Sequence, residues 1–202
     1  MRQCAMESNM DFRIYGIDGK TIIPYIERNN EGCAAFLDRL LTLEGAALKC
    51  VNGRYSAIGI AYAQEREVLQ TVQLAATQEG IQYIKKGTAY KGIKIITPYA
   101  SGSAVDNNVP ENHSWGTICG ELPARNNIQA ARWARGKLLA SNRQCEELTM
   151  QTDFNAGLTA LIRIDIESNA DTDGQWLVQD VEHDFVNLKT TATMRRCIWS
   201  IN

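Results

Sequence analysis

The strictest pattern in this chain of 202 residues is an alternation in the segment 162–167. Isoleucines at 162, 164 and 166 alternate with Arg163, Asp165 and Glu167, so a strand here has one apolar face and one charged face. The turn sequence Asp-Thr-Asp-Gly follows at 171–174 and places a glycine where positive φ is tolerated. A second apolar run follows at 175–185. These features predict two antiparallel strands that contribute one face to a hydrophobic core.

The order of segments around this pair predicts a small sheet that is entered from a helix. A polar helix is expected at 127–140, and the strands are expected at the ranges 146–150, 161–166, 175–185 and 190–194. The expected core of this part comprises Trp176, Val178 and Phe185. We therefore predict a small antiparallel β-barrel over residues 89–202.

The first part of the chain predicts a helix–hairpin module over residues 1–88. Apolar residues recur at helical spacing in the segment 31–44, with Phe36 and Leu40 as expected core residues, Asn30 as a cap and Gly45 as the stop. Two apolar runs, 46–51 and 54–60, flank Asn-Gly, which is a strong hairpin signal. The predicted fold class is α+β and mainly β.

The remaining segments give weaker signals. Strands are predicted at 12–15 and 90–96, an extended edge containing a proline at 21–26, and no clear element at 64–84. Residues 98–116 form a long polar segment, and we predict a contact loop that becomes ordered only on assembly. Its apolar residues are the predicted interface anchors: Val105, Val109 and Trp115.

The ordered set of C-terminal motifs resembles the C-terminal half of the baseplate-hub (late control D) family of contractile-tailed phages. Type VI secretion spike proteins share that architecture. The residues that carry the resemblance are Ala130, Ala131, Ala134, Leu148, Met150, Gly174, Trp176, Val178, Val181, His183, Phe185 and 191–194. The segment 36–45, followed by Val-Asn-Gly at 51–53, is similar to an upstream part of the family pattern. The chain is too short for the additional N-terminal barrel that full hub proteins carry.

The resemblance implies a structural protein of the phage tail or of a related contractile injection system, made in the host cytoplasm and incorporated into the virion. It implies a homotrimeric ring around a channel that joins the six-fold tail tube to the three-fold central spike. The implied partners are the tail tube and central spike proteins, with the tape measure protein and the baseplate wedge as further contacts. DNA would pass through the channel without being recognised.

Composition limits the alternatives. Apolar residues make up 45% and charged residues 22%, which is typical of a globular protein. A net charge of −2 and a pI near 5.8 disfavour a general nucleic-acid binder. The sequence predicts neither a membrane span nor a signal peptide. The six cysteines lack zinc-site spacing, and buried reduced thiols are favoured over three disulfides.

Residue chemistry indicates neither a catalytic site nor a cofactor or metal site. His183 is predicted to be structural, and Glu146 and Glu147 point to opposite faces of one strand, unlike a glycosidase pair. Phosphate-binding glycine loops are absent. The basic helix side that contains Arg132 and Arg135 is expected to face solvent or another subunit. A monomeric tail adaptor and a tail-associated cell-wall hydrolase remain the alternative functions.

Overall fold

The computed structural model describes residues 1–23, 26–74, 80–120 and 123–202. Its N-terminal segment forms a three-stranded sheet. The predicted hairpin is present, since residues 46–51 pair antiparallel with residues 54–59. Its turn residues Asn52 and Gly53 both have positive φ, at 51° and 67°. Strand β3 (Arg54–Gly59) lies in the centre, antiparallel to β2 (Ala46–Val51) and parallel to β1 (Asp11–Tyr15). The elements in chain order are α1 (Arg2–Glu7), β1 (Asp11–Tyr15), α2 (Cys33–Leu43), β2 (Ala46–Val51), β3 (Arg54–Gly59) and α3 (Ile60–Glu65).

A larger mixed sheet contains six strands in the order β4-β10-β11-β12-β9-β5. Strand β4 is parallel to β10, and the other pairings are antiparallel. In the described pairings β4 and β5 occupy the two edges, and the sheet is not closed into a barrel. The mainly β, α+β class is confirmed. The strands are β4 (Val68–Gln73), β5 (Ile81–Lys85), β9 (Glu146–Asp153), β10 (Arg163–Glu167), β11 (Gly174–Asp184) and β12 (Lys189–Arg196).

Part of the predicted long loop at 98–116 belongs to a third, three-stranded sheet, whereas residues 107–114 form no strand. Strand β7 (Ser101–Val105) pairs antiparallel with β6 (Gly92–Ile96), and β8 (Trp115–Cys119) pairs with β6 in parallel. The polar composition of the segment concealed β7, because small residues such as Ala104 supply its buried face. Backbone pairing with β6, rather than side-chain hydrophobicity, defines this strand.

The chain folds into two compact units, and both are discontinuous in sequence. The first unit contains residues 1–62, 89–142 and 199–202, and the second contains 63–88 and 143–198. This division differs from the predicted boundary between residues 88 and 89. The reason is that β4 and β5 pair with β10 and β9, which are distant in sequence.

Helix α4 (Asn127–Arg143) belongs to the first unit except for its last residue. The helix predicted at 127–140 is present as α4, which continues for about one further turn. Two glycines allow close packing in this unit: a Cβ on Gly136 would lie 2.1 Å from the carbonyl oxygen of Leu43, and one on Gly102 would lie 2.2 Å from the amide nitrogen of Ala131. The backbone of α4 therefore lies directly against the end of α2 and against β7.

The core of the second unit explains the alternation at 162–167. Ile164 and Ile166 are buried with Trp176, Val178 and residues of β9 and β12. Phe185 differs from the prediction because 72% of its surface is exposed. It lies beyond the end of β11, in the turn before β12, where no sheet face covers it.

The predicted helix over 31–44 is present as α2, with Phe36 and Leu40 buried. Asn30 is not its cap. Gly32 occupies the N-cap position without a side-chain hydrogen bond, while Asn30 has a positive φ of 52°. The extended edge predicted at 21–26 includes residues 24–25, which lie outside the described part of the chain.

Candidate functional site

The predicted interface anchors on the β6–β8 sheet differ in exposure. Val109 is buried and Val105 is half-buried, so neither offers much surface to a partner. Trp115 is 47% exposed. Its ring lies over Gly92, where an added Cβ would approach ring atoms to 2.6 Å. Because Gly92 has no side chain, the indole ring packs directly on its backbone. Of the three predicted anchors, Trp115 is therefore the one that presents substantial apolar surface to a partner.

The segment that carries these anchors is fixed by an internal polar network around buried Asp106. The Asp106 carboxylate accepts hydrogen bonds from Asn142 Nδ2 at 2.9 Å and from Ser200 Oγ. Val105 and Asn202 exchange backbone hydrogen bonds of 3.1 and 3.0 Å, so the C-terminal residues pair antiparallel with the end of β7. Lys91, also buried, donates to the Val109 carbonyl at 2.9 Å. The predicted ordering on assembly is therefore replaced by ordering within the subunit, because backbone and buried polar groups find partners there.

The two arginines of α4 that were predicted to form an interface differ in their contacts, because one forms an ion pair within the chain and the other is exposed. Arg132 donates to both carboxylate oxygens of Glu44, at 2.6 and 3.1 Å, and Trp133 Nε1 donates to the same carboxylate at 2.9 Å. Arg132 therefore joins α4 to the end of α2. Arg135 is exposed, and the described residues offer it no ion pair. Of these two predicted interface residues, Arg135 is the one available to a partner.

A second apolar surface was not predicted from the sequence. Residues 185–188, called here the hairpin tip, connect β11 to β12 and expose Phe185 by 72%, Val186 by 90% and Leu188 by 62%. The Asp184 carboxylate accepts hydrogen bonds from the backbone N–H of Asn187 and Val186, at 3.0 and 2.9 Å. These hydrogen bonds hold the pKa of Asp184 below its usual range, and the bond from the Asn187 backbone has the largest effect. The sequence feature that could have predicted this surface is the apolar composition of residues 185–188, because hairpin turns are normally polar.

His183 has a structural environment beneath this tip. Its Nδ1 lies 3.0 Å from Thr190 Oγ1, and its ring packs against Phe154 and Phe185 with centroid distances of 5.4 and 6.3 Å. Asp184 is engaged in the turn. His183 and Asp184 therefore do not form a histidine–carboxylate pair. Instead, the His183 ring packs against the two phenylalanines.

The other candidate chemical groups are engaged in structural contacts. Glu147 accepts hydrogen bonds of 3.0 Å from Lys86 and pairs with Arg195 at 2.6 Å. The Lys86 hydrogen bond, followed by the charge of Arg195, lowers the pKa of Glu147. Glu146 pairs with Arg196. Within the described ranges, no group of three or more His, Cys, Asp or Glu side chains has a metal-binding arrangement.

All six cysteines are free thiols, and Cys4 and Cys197 are buried. Burial raises the pKa of Cys197 to about 11, so this thiol is protonated near neutral pH. Among the described helices, none combines the length and apolar character needed to cross a bilayer.

No protein-family model and no curated protein matches the chain. Solved structures do. A tail protein from Neisseria meningitidis MC58 has a TM-score of 0.74 at 11% identity, and the match covers 98% of this chain and 66% of that one. The 43 kDa tail protein of prophage MuSo2 from Shewanella oneidensis also has a TM-score of 0.74 at 11% identity, covering 96% and 64%. A chain in the virion of a native gene transfer agent particle has a TM-score of 0.57 at 12% identity, covering 86% and 40%.

These matches establish the fold. The chain has the same fold as part of the two tail proteins and of the gene transfer agent virion chain, and it spans less than two-thirds of the length of each.

Proposed function

We propose that this chain is a structural component of a phage tail, placed in the baseplate hub. In this proposal three copies form a ring that joins the six-fold tail tube to the three-fold central spike. The protein is made in the host cytoplasm and becomes part of the virion. Its contribution is assembly geometry, and it performs no chemical reaction.

The observation that carries this proposal is the extent of the fold similarity. A TM-score of 0.74 over 98% of the chain means that both compact units have counterparts in a tail protein. The hub assignment within the tail rests on the motif order from Ala130 to Met194, including the Trp176 strand. A structural role is further supported by Glu146 and Glu147, which form ion pairs, and by Asp184, which accepts hydrogen bonds from a turn.

Ring formation requires surfaces that a lone subunit leaves unsatisfied, and two are proposed here. Trp115 offers an exposed, rigidly seated indole, and tryptophan is common at interface hot spots. Arg135 offers an exposed guanidinium on α4. A heterologous contact between such surfaces on neighbouring copies closes into a ring when the rotation between copies is 120°.

Native mass spectrometry of the full chain, alone and with the tail tube and spike proteins of the same phage, tests the proposal. We expect a trimer that binds one tube ring and one spike trimer. Trp115→Ala and Arg135→Glu should weaken the trimer or its docking, whereas Trp199→Ala, a control at a similarly exposed tryptophan, should not. A chain that stays monomeric and binds only at the tube end would replace the hub by a tail adaptor.

A further inference from the structure

We infer that the hairpin tip of one copy docks into an apolar cavity in the first unit of a second copy. The tip lies wholly in the second unit of its chain. The inference rests on the proposed self-assembly into a ring and adds the pair of surfaces that joins neighbouring copies.

The tip is an apolar surface held in a fixed conformation. Besides the two backbone bonds to Asp184, Asn187 Nδ2 donates to the same carboxylate at 2.7 Å. The Leu188 carbonyl accepts from the Phe154 N–H at 2.9 Å, and the Phe154 ring packs on Phe185 at 5.4 Å. Binding therefore requires little ordering of the turn, which removes a main entropic cost of association.

The tip also exposes a large apolar surface for its length of four residues. Its three apolar side chains, with the exposures given above, present on the order of 400 Å² of apolar area, the size at which a patch on a monomer is often functional. A standard interface covers about 800 Å² on each partner. The tip thus supplies about half of one side, and the flanks of the hairpin must supply the rest.

The receiving cavity lies between β1, the segment after it and helix α2. It has a volume of about 500 Å³. Its apolar lining includes Phe12, Ile14, Ile17, Ile23, Phe36 and Leu40. Phe36 and Leu40 are otherwise buried core residues, so the cavity reaches the core of the first unit. A volume of this size accommodates a few apolar side chains and is in the range of small-ligand pockets.

Opposite charges can meet where the hairpin enters the cavity. The end of strand β11 carries Glu182, which is exposed, and Asp184, while Lys189 at the start of β12 is paired with Asp153. Three charged residues line the cavity, namely Arg2, Asp18 and Glu44. The Glu44 carboxylate is paired with Arg132, and the Asp18 carboxylate accepts hydrogen bonds from Lys20 N–H and Thr21 Oγ1. Arg2 is exposed, and no ion pair engages it among the described residues. An acidic hairpin entering beside an unpaired guanidinium favours the docked orientation.

A second copy is the favoured occupant because both halves of the contact are present on one chain. Each copy then offers one tip and one cavity, which makes a heterologous contact that continues around a ring. A partner of different sequence would satisfy the tip and leave the cavity of the same chain unused.

Photocrosslinking identifies the occupant directly. Full chain carrying Val186→p-benzoylphenylalanine is mixed as equal parts of ¹⁴N and ¹⁵N protein and irradiated, and the adducts are mapped by mass spectrometry. We expect adducts of mixed isotope that join residue 186 to peptides 12–23 or 36–44. Adducts within one chain, adducts elsewhere on a second copy, or adducts only with added tube or spike protein would overturn the inference.

A matched pair of substitutions measures the contribution of the tip. Val186→Asp and Val51→Asp both place a charge at an exposed valine near a hairpin turn, with exposures of 90% and 49%. By sedimentation velocity, Val186→Asp should weaken self-association at least about tenfold, with an unchanged melting temperature, whereas Val51→Asp should leave association unchanged.

The two hypotheses fail in different ways in this experiment. If the wild-type chain forms a ring that Val186→Asp does not weaken, the docking inference is wrong and the hub proposal stands. If the wild-type chain stays monomeric at every concentration, both are wrong.

Discussion

Replacing Trp176 by alanine tests whether the six-stranded sheet has the core described here. Trp176 is fully buried, and its Nε1 donates to the Thr172 carbonyl at 2.9 Å. The Arg196 guanidinium lies 4.5 Å from the ring centroid, and Tyr83 packs edge-on at 6.2 Å. The substitution removes the hydrogen bond and these contacts and leaves a cavity. A buried Trp→Ala change costs about 3–5 kcal/mol.

The assay is equilibrium urea unfolding followed by near-ultraviolet circular dichroism. With a denaturant slope of about 2 kcal/mol/M, the unfolding midpoint of Trp176→Ala should fall by about 1.5–2.5 M. Trp176→Phe keeps part of the ring volume and should lie between the wild type and Trp176→Ala. Phe185→Ala is the control: this ring is 72% exposed, so its loss should change the free energy of unfolding by about 0.5 kcal/mol or less in the monomer. Equal midpoints for Trp176→Ala and Phe185→Ala would refute the burial argument.

Three further predictions concern packing, pH dependence and chemistry. Gly136→Ala should destabilise the first unit by about 1–3 kcal/mol in thermal unfolding, because the new Cβ would meet the Leu43 carbonyl at 2.1 Å, while Gly32→Ala, with nothing within 4 Å, should not. The lowered pKa of Glu147 means that its ion pairs stabilise the protein above its unfolded-state pKa of about 4.3 and that this stability is lost as pH falls through the folded-state pKa. Glu147→Gln should therefore show a smaller loss of stability on acidification than the wild type; an identical pH profile would contradict the assignment. Purified peptidoglycan should not be cleared by the wild type; clearing that His183→Ala abolishes would indicate a hydrolase.

Local patterns were sufficient for the individual elements that have strong short-range signals. The Asn-Gly hairpin at residues 46–59 formed as predicted, because both turn residues must adopt positive φ and few other sequences tolerate this. The alternation at 162–167 identified β10 and its buried isoleucines, because side chains alternate between the faces of any strand. Trp176 and Val178 follow from the same period.

Strand partners and unit boundaries required the tertiary structure. Strand β4 has no distinct pattern of its own, and it is defined by parallel pairing with β10, about ninety residues later in the chain. Strand β7 is composed of small and polar residues and is stabilised by backbone pairing with β6 and close packing at Gly102. Propensity describes only neighbours in sequence, so such strands remain undetected.

The site shows the same division. The sequence alone determined the mainly β class, the helix–hairpin at the N-terminus, the buried strand around Trp176 and Trp115 as an interface candidate. Only the tertiary structure decided that Arg132 is engaged by Glu44, that Val109 is buried and that Phe185 is exposed. Exposure depends on which distant segments cover a residue, and residue type and period do not encode those segments.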